Sequence, residues 1–253
     1  MGILTRIRSK WQREASRRLC CRPWVMQNQQ PLISFTFDDF PSSALHTAGP
    51  ILAKHGIAGT YYTSFGLMDT VAPTGQIFAA TDIPQLLAAG HELGCHTYHH
   101  RHSYDTPPEQ FEDSVLTNQK AVAAMVPGYR FHSLAYPLSV PRPGTKRRCA
   151  QHLAASRAGG QVPNDGTTDL NALNAFFLEQ SRHDSAAVEQ VIARTVASKG
   201  WLIFATHDVN PDPTPYGVEP GFFRQVVEAS VASGAKLVSV SEGLREIGVP
   251  LKN

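Results

Sequence analysis

The chain has 253 residues, of which 42% are hydrophobic and 17% are charged, and its formal net charge is only +2. This length suits one large domain such as an α/β barrel, and the ordinary apolar content excludes disordered, collagen-like and coiled-coil chains. We expect no membrane-spanning helix, because no apolar run reaches about 18 residues. The four cysteines are too few for a disulfide scaffold, so we expect reduced thiols in a cytosolic protein.

The N-terminal segment carries a net excess of positive charge. Residues 1–30 hold seven of the 23 Lys and Arg residues and one acid, Glu14, which gives them a net charge of +6 against −4 for the remainder. We interpret them as a basic extension, either a solvated leader or a helix that contacts an anionic membrane or nucleic acid. Arginines interrupt any secretory core, so we expect no export signal. The apolar stripe of such a helix would consist of Ile3, Ile7, Trp11, Ala15 and Leu19.

The remainder, residues 31–253, alternates short apolar runs with helical patterns, which predicts one α/β domain with a parallel sheet, open or closed into a barrel. Residues 155–184 show the least regular pattern and are predicted as loops. The predicted strands are Leu32–Asp38, Ile57–Ser64, Glu92–His96, Arg130–Tyr136, Trp201–Thr206 and Lys236–Val240. The predicted helices are Ser42–His55, Ile83–Ala89, Pro108–Val126, Ser185–Lys199 and Gly221–Ser233.

Polar side chains stand at the carboxyl ends of four predicted strands. In a parallel α/β barrel these ends line one face, where active sites form. We therefore expect a single functional site built from several strand ends. The residues at these ends are Asp38–Asp39, His96, Tyr136–Pro137 and His207–Asp208.

Histidines concentrate after the third predicted strand, where five of the 11 fall in residues 90–104. His96 and His100 are spaced i, i+4, which on a helical turn points both imidazoles the same way, as metal ligation requires. His99 and His102 offer alternative pairs, so spacing alone does not choose. Adjacent residues on a strand end point to opposite sides, so only one carboxylate of Asp38–Asp39 is expected to bind the metal.

Two imidazoles and one carboxylate leave open positions on a metal for water and substrate. This ligand set suits a hydrolase that uses a Lewis acid, and it equally suits a non-haem iron oxygenase. A second carboxylate beside the ligand and the distant His207 are typical of a general base and a general acid. These two residues favour the hydrolase.

The motifs resemble those of the polysaccharide deacetylases of carbohydrate esterase family 4, the NodB-homology domain. The first motif stands as Thr36-Phe37-Asp38-Asp39. The second stands as Gly90-His91-Glu92-Leu93-Gly94 followed by His96-Thr97-Tyr98-His99-His100, and the last as His207-Asp208. Two long motifs in this order are specific, and the resemblance spans residues 31–243.

The resemblance implies a distorted (β/α) barrel with about seven parallel strands and hydrolysis of an N-acyl group, acetyl or formyl, on an amino sugar. Asp39, His96 and His100 would bind a divalent metal, typically Zn²⁺. Asp38 would deprotonate the metal-bound water, and His207 would protonate the leaving amine. A backbone N–H near Leu138 would hold the oxyanion, and the substrate would contact the third-motif residues Tyr136, Pro137 and Leu138.

Two departures from the family pattern leave a second interpretation open, a non-catalytic carbohydrate-binding relative that keeps the metal site. Ala135 stands where many members have an arginine that pairs with the catalytic base, and the acid that tunes the catalytic histidine has no clear counterpart. Replacements for the arginine are sought among Arg130, Arg142 and Arg182, and candidates for the acid are Asp165, Asp169 and Asp184.

Location and substrate follow from the basic extension and the thiols. We expect a cytoplasmic enzyme, associated through the extension with anionic lipid at the inner membrane face. Its substrate would be an N-acetylated carbohydrate in a polysaccharide or in a nucleotide-linked or lipid-linked precursor, as in lipopolysaccharide assembly. An exported enzyme is the alternative. No nucleic-acid partner is expected, because the chain is net acidic outside the extension.

Overall fold

The computed structural model describes residues 3–138, 140–182 and 184–251, with side chains from residue 10 onward. Its strands are β1 (Pro23–Val25), β2 (Leu32–Phe37), β3 (Thr60–Thr63), β4 (Val71–Ala72), β5 (Gly75–Gln76), β6 (Glu92–Cys95), β7 (Ser133–Ala135), β8 (Ala155–Arg157), β9 (Thr167–Asp169), β10 (Phe176–Phe177), β11 (Trp201–Thr206) and β12 (Lys236–Leu237). Its α-helices are α1 (Ile3–Arg18), α2 (Gly49–Ala53), α3 (Asp82–Ala88), α4 (Pro108–Met125), α5 (Pro143–His152), α6 (Ser185–Ser198), α7 (Pro220–Ala232) and α8 (Val240–Glu246). None of the helices in these ranges is long and apolar enough to cross a membrane.

Seven parallel strands form a curled sheet in the order β10-β11-β2-β3-β6-β7-β8. The short strand β12 pairs with the first two residues of β2, Leu32 and Ile33. The strand β3 pairs with the last two residues of β2, Thr36 and Phe37. A parallel bridge between Arg157 and Leu173 connects β8 to the segment that leads into β10, so the sheet curls back toward its other edge. This architecture confirms the prediction of a distorted (β/α) barrel with about seven parallel strands.

The neighbouring strands β2 and β11 are buried along their whole length. All six residues of β2 and all six of β11 are buried, in apolar runs typical of strands covered on both faces. The two strands pair in register from Leu32 opposite Trp201 to Phe37 opposite Thr206. Their carboxyl ends therefore stop at the same level, which places Asp38 and His207 on one edge of the barrel.

Several predicted boundaries differ from the observed ones for local reasons. The predicted helix 42–55 is a π-helical segment, Ala44–Ala48, followed by the short α2. The last predicted strand ends at Leu237, because Ser239 and Glu242 form a capping box that starts α8. In the region predicted as loops, β8, β9 and β10 are present, and each is only two or three residues long.

The N-terminal extension is packed against the barrel. Ala15 and Ser16 of α1 are buried, and the fully buried Lys146 donates from Nζ to Ser16 O and to Asp169 Oδ2, at 2.7 Å each. After the helix, β1 pairs antiparallel with β9. Of the predicted apolar stripe, Trp11 and Leu19 are exposed, whereas the side chains of Ile3 and Ile7 lie outside the described residues.

We predict that Lys146→Met lowers the free energy of unfolding by roughly 2–4 kcal/mol, because Asp169 loses its buried partner. Chemical denaturation measures this loss, and limited proteolysis checks that α1 becomes cleavable. The control is Lys236→Met, whose exposed pair with Glu246 is expected to contribute less than about 1 kcal/mol. Equal losses in the two variants would contradict the role given to Lys146.

Candidate functional site

A cavity of about 780 Å³ opens at the carboxyl ends of the barrel strands. Side chains from β2, β6, β8 and β11, or from the residues that follow them, meet in it, as the positions of the motifs at strand ends predict. The hairpin β4–β5 and the helix α1 add to its walls. The polar residues that line it are Gln12, Arg13, Asp38, Asp39, Thr70, Thr74, His96, His100, Tyr136, Arg157, Glu179, Gln180, His207 and Tyr216.

Asp39, His96 and His100 form a compact group whose ligand atoms all lie within 4.8 Å of one another. Asp39 Oδ1 is 2.9 Å from His100 Nε2 and 3.3 Å from His96 Nε2. Asp39 and His96 are buried, and His100 is mostly so. Of the four histidines considered for the site, the structure brings His96 and His100 together with the carboxylate, whereas His99 contacts Ser114 and His102 contacts Asp105.

The hydrogen bonds around this group fit a divalent cation. His96 Nδ1 lies 2.8 Å from Ala135 O, so it donates its proton to this carbonyl and Nε2 keeps a free lone pair. Asp39 Oδ1 is buried and has no hydrogen-bond partner among the described residues, although Oδ2 accepts from Thr74 Oγ1 at 3.0 Å. Two electron-rich atoms facing each other in a buried site need a cation between them. Two imidazoles and a carboxylate are a common catalytic zinc set.

The backbone that carries these ligands is not helical. Thr97 and His100 have φ angles of 62° and 49°, and Asp39 has 61°, all in the left-handed region that costs a non-glycine residue about 1–2 kcal/mol. The prediction that a helical turn aligns His96 and His100 is therefore wrong. Instead, the loop after β6 folds back sharply at these residues, and the His100 N–H donates to Thr97 Oγ1 at 3.2 Å.

Asp38 pairs with Arg157, which projects from β8 on the other side of the barrel. Both side chains are almost fully buried, at 6% and 2% exposure, and the guanidinium lies over the rings of Tyr62 and Phe177. Burial alone would raise the pKa of Asp38, but the charges of Arg157, His96 and His207 outweigh it and hold the pKa below its ordinary value. The carboxylate is therefore ionised at neutral pH and available to accept a proton.

Arg157 supplies the guanidinium that the family pattern places at the position of Ala135. The three predicted replacements have other roles or positions. Arg142 binds the backbone of Tyr104, Arg182 binds the backbone of Pro215, and Arg130 lines a separate surface pocket. Sequence reasoning missed Arg157 because β8 has only three residues, in a stretch without apolar periodicity. The feature that distinguishes Arg157 is its burial in the sheet, which cannot be read from the sequence.

His207 lies at the end of β11, and its Nδ1 donates to Tyr216 O at 3.2 Å. A main-chain carbonyl thus orients the imidazole, in place of the acid that the family pattern suggests. The three candidate acids lie elsewhere: Asp165 near Arg194, Asp169 against Lys146, and Asp184 at the start of α6. The neighbouring Asp208 is buried and accepts from Thr214, which shapes the loop that delivers Tyr216.

The third-motif residues occupy different environments. Tyr136 lines the cavity, but its hydroxyl donates to Asn171 O at 3.2 Å. Pro137 is buried, and its carbonyl accepts from Ser103. Leu138 has a φ of 64° and is 67% exposed at the cavity wall. Leu138 is therefore the residue of the three that stands free to meet a substrate.

The cavity also contains residues that were not predicted, among them four polar ones from α1 and from two short segments. Gln12 and Arg13 come from α1, Thr74 from the turn between β4 and β5, and Glu179 from the 3₁₀ turn after β10. The extension was interpreted by its charge and its apolar stripe, neither of which predicts contact with the cavity. The other two residues belong to segments too short to show periodicity.

We predict strong energetic coupling between Arg157 and Asp38. Arg157→Met and Asp38→Asn are each expected to lower the free energy of unfolding by roughly 3 kcal/mol, and the double variant by clearly less than their sum, since either single change strands a buried charge or its partner. Chemical denaturation of the four proteins measures the coupling. The exposed pair Arg194 and Asp165, 3.8 Å apart, is the control, and its coupling should be below about 0.5 kcal/mol. Additive losses at Asp38 and Arg157 would show that the pair is not coupled.

Comparison with solved structures supports the fold. A family 4 acetyl xylan esterase from Clostridium thermocellum, solved with a cobalt ion, is 20% identical, with a TM-score of 0.58 over 87% of this chain and 93% of that chain. A family 4 carbohydrate esterase from Bacillus subtilis is 14% identical, with a TM-score of 0.56 over 97% and 90%. A family 4 pseudoenzyme from Bacillus anthracis is also 14% identical, with a TM-score of 0.59 over 90% and 70%.

No curated protein matches the chain significantly. The family model described as polysaccharide deacetylase matches residues 26–153, which is just over half of the chain and includes the first two motifs. This stretch contains Asp38, Asp39, His96 and His100. By this match the chain belongs to the polysaccharide deacetylase family.

Proposed function

We propose that the protein is a metal-dependent hydrolase that removes an N-acyl group, acetyl or formyl, from an amino sugar. One observation carries the proposal: a buried ligand set of Asp39, His96 and His100 lies in the same cavity as the ionised Asp38 and as His207. Amide hydrolysis needs polarisation of the carbonyl, removal of a proton from water and protonation of the leaving amine. The cavity holds a group for each requirement.

Asp39, His96 and His100 would hold the divalent ion, and Zn²⁺ is the ion that this ligand set fits best. A bound divalent ion supplies Lewis-acid polarisation of the acyl carbonyl and acidifies water in the site. The protein's part is to keep the ligands ready. Ala135 O fixes the tautomer of His96, and Thr74 orients the carboxylate of Asp39.

Asp38 accepts the proton of the attacking water in this mechanism. Arg157 and the surrounding histidines lower the pKa of Asp38, so the base stays ionised well into the acidic range. Activity that depends on ionised Asp38 is therefore present above this lowered pKa and lost as the pH falls through it. Arg157 also holds the carboxylate in one position through its buried contact.

His207 protonates the leaving amine as an imidazolium. Its Nδ1 is engaged by Tyr216 O, which leaves Nε2 as the nitrogen that carries the transferred proton. The backbone N–H near Leu138 is a donor for the oxyanion, since this residue is exposed at the cavity wall in a left-handed conformation. Tyr136 and Pro137 support that turn beside the substrate.

The substrate that fits the cavity entrance best is an amino sugar linked to phosphate, in a nucleotide-linked or lipid-linked precursor, as in lipopolysaccharide assembly. Arg13 of α1 is exposed, lines the cavity and forms no ion pair with the described residues. A guanidinium in this position can bind phosphate oxygens, which a neutral polysaccharide lacks.

The second interpretation is a non-catalytic carbohydrate-binding protein. The reason for it was that Ala135 stands where many family members have an arginine. Arg157 places a guanidinium against Asp38 from another strand, so this reason carries less weight. The resemblance to a pseudoenzyme from Bacillus anthracis concerns the fold alone.

We also propose that the protein works on the cytoplasmic side, at the inner face of an anionic membrane. Trp11 is 66% exposed and Leu19 is 52% exposed, and Arg17 and Arg18 are exposed near the end of the same helix. Exposed apolar side chains flanked by arginines favour contact with anionic lipid headgroups. The helix that would touch the lipid also lines the cavity, so a lipid-linked substrate would reach the site directly.

We predict that the purified protein binds a single divalent ion and releases amine from at least one N-acylated sugar. The panel comprises the methyl glycoside of N-acetylglucosamine, its N-formyl counterpart, a nucleotide-linked form and a polyprenyl-phosphate-linked form. Asp38→Asn is expected to keep the ion and lose at least about 100-fold in rate, as for a missing general base. His96→Ala should lose both the ion and the activity. Elemental analysis and an amine-release assay measure these quantities.

The matched control is His102→Ala, which removes a neighbouring, half-exposed histidine outside the ligand set. It should keep both ion and rate. A protein that binds the ion but hydrolyses no sugar of the panel would favour the binding interpretation. A protein that binds no divalent ion would refute the proposed mechanism.

A second prediction concerns the lipid contact. The double variant Trp11→Ser, Leu19→Ser should sediment with vesicles containing anionic phospholipid at least about fivefold less than the wild type, because apolar burial and basic charge act together at the interface. Leu116→Ser, an exposed leucine on α4, is the control and should leave binding unchanged. Equal sedimentation of all three proteins, or none, would exclude this surface as a membrane contact.

A further inference from the structure

The loop that follows β11 carries a buried acid whose two carboxylate oxygens are bound by one residue. Asp208 stands directly after His207 and is only 3% exposed. A buried carboxylate is costly unless hydrogen bonds satisfy its oxygens. Its Oδ2 accepts from the Thr214 N–H at 2.9 Å, and its Oδ1 accepts from the Thr214 hydroxyl. Asp208 therefore ties down a residue in the middle of the loop.

The Thr214 hydroxyl connects this acid to Tyr216. Its oxygen accepts from the Tyr216 N–H at 3.2 Å, so the hydroxyl proton is free to point at Asp208. The Tyr216 carbonyl in turn accepts twice from His207, from the main-chain N–H at 3.4 Å and from Nδ1 at 3.2 Å. A continuous series of hydrogen bonds thus leads from Asp208 through Thr214 and Tyr216 to the imidazole of His207.

Close packing keeps the base of this loop in one position. A Cβ atom added at Gly217 would lie 2.2 Å from Asp208 Oδ1 and 2.5 Å from Asp208 O, so the two segments approach as closely as a glycine allows. The Val218 N–H donates to Asp208 O at 3.0 Å, and the fully buried Val209 and Val218 form a parallel bridge. The loop is therefore rigid where it holds the acid, while the 45% exposed Tyr216 lines the cavity.

The series of hydrogen bonds determines which nitrogen of His207 is available to a substrate. A carbonyl oxygen only accepts, so the bond to Tyr216 O places a proton on Nδ1 and leaves Nε2 for the cavity that His207 lines. A general acid must be held within hydrogen-bond reach of the leaving group. The position of Nε2 follows that of the Tyr216 carbonyl, which in turn depends on the contact between Thr214 and Asp208.

We propose that Asp208 is a positioning residue for His207 and acts on it through Thr214 and Tyr216. The proposal rests on the proposed function for the role of His207 as general acid. The acid that the family pattern gives to the catalytic histidine is replaced here by the residue next to that histidine. It acts through a main-chain carbonyl and not by direct contact with the imidazole.

The test uses two substrates that differ in their need for a general acid. An amine leaves only after protonation, whereas 4-nitrophenolate leaves as an anion, so hydrolysis of 4-nitrophenyl acetate does not require His207. Thr214→Val removes the hydroxyl and keeps the size of the side chain. On the N-acylated sugar of the panel that the wild type hydrolyses fastest, this variant should lose at least about tenfold in kcat, because proton donation is impaired. Its KM and its rate on the ester should stay within about threefold of the wild type, since neither depends on the general acid.

Asp208→Asn should show the same separation between sugar and ester. The amide group of asparagine presents one donor side to Thr214, which offers two donors, so one of the two hydrogen bonds is lost at nearly constant volume. Elemental analysis and circular dichroism check that both variants keep the divalent ion and the fold.

Two control variants lie in the same loop. Thr214→Ser keeps the hydroxyl and should retain the wild-type kcat on the sugar within about threefold. Asp212→Asn changes an exposed acid of the loop and should leave both rates unaltered.

Nitrogen-15 NMR of the histidine side chains gives a readout that does not depend on activity. Spectra of the full-length protein are recorded at alkaline pH, where imidazoles are neutral, and the spectrum of His207→Gln identifies the signals of His207. In the wild type the proton of His207 should reside on Nδ1. In Thr214→Val and Asp208→Asn it should move in part to Nε2, because the carbonyl that selects Nδ1 is no longer held in place.

The outcomes separate this proposal from the proposed function. An unchanged His207 tautomer in both variants, or a parallel loss of the sugar and ester rates, would overturn the positioning role of Asp208. A wild-type rate on the sugar in both variants would also overturn it and leave the hydrolase standing. If the wild type hydrolyses no sugar of the panel, the proposed function is refuted, and the tautomer of His207 still decides whether Asp208 positions the imidazole.

Discussion

The buried contact between Asp38 and Arg157 is the constraint on which the site depends. The two residues are 119 positions apart in sequence, one at the end of β2 and the other on β8 at the edge of the seven-strand sheet. A flat sheet would separate them, so the pairing requires the sheet to curl into a barrel. Neither charge is tolerable alone at this depth, because an unpaired buried ion costs several kcal/mol. The same contact thus joins distant strands and keeps a carboxylate ionised inside the cavity.

Much of the fold was predictable, because the strands that matter most are also the most regular in sequence. β2 and β11 are buried along their whole length and mostly apolar, and the polar residues after them stand on the predicted face. The sequence analysis did not predict the short strands β8 and β10, whose hydrogen bonds depend on neighbours far away in sequence. It also did not predict the helices α5 and α8. Arg157 lies on β8 and Glu179 follows β10, and both residues were missed because these strands are too short to be read from the sequence.

His96 and His100 lie together beside Asp39, although the local structure predicted between the two histidines is wrong. The spacing of His96 and His100 indicated a helical turn, but the loop reaches the same arrangement through left-handed residues at Thr97 and His100. Such conformations are costly for residues with a side chain and persist where surrounding contacts impose them. Here the Ala135 carbonyl and the Thr97 hydroxyl supply those contacts. The ligand geometry is therefore held by the neighbouring strand and the loop itself, which no periodicity reveals.

The relocated arginine changes what the third motif is free to do. With Ala135 in place of an arginine, the main chain at this position can approach His96 closely, and its carbonyl fixes the imidazole. The guanidinium arrives instead from β8, at the edge of the sheet, where it contacts Asp38 and lies over the rings of Tyr62 and Phe177. Because Arg157 reaches Asp38 from a distant strand, the position of the base depends on how the barrel closes and not on the third motif.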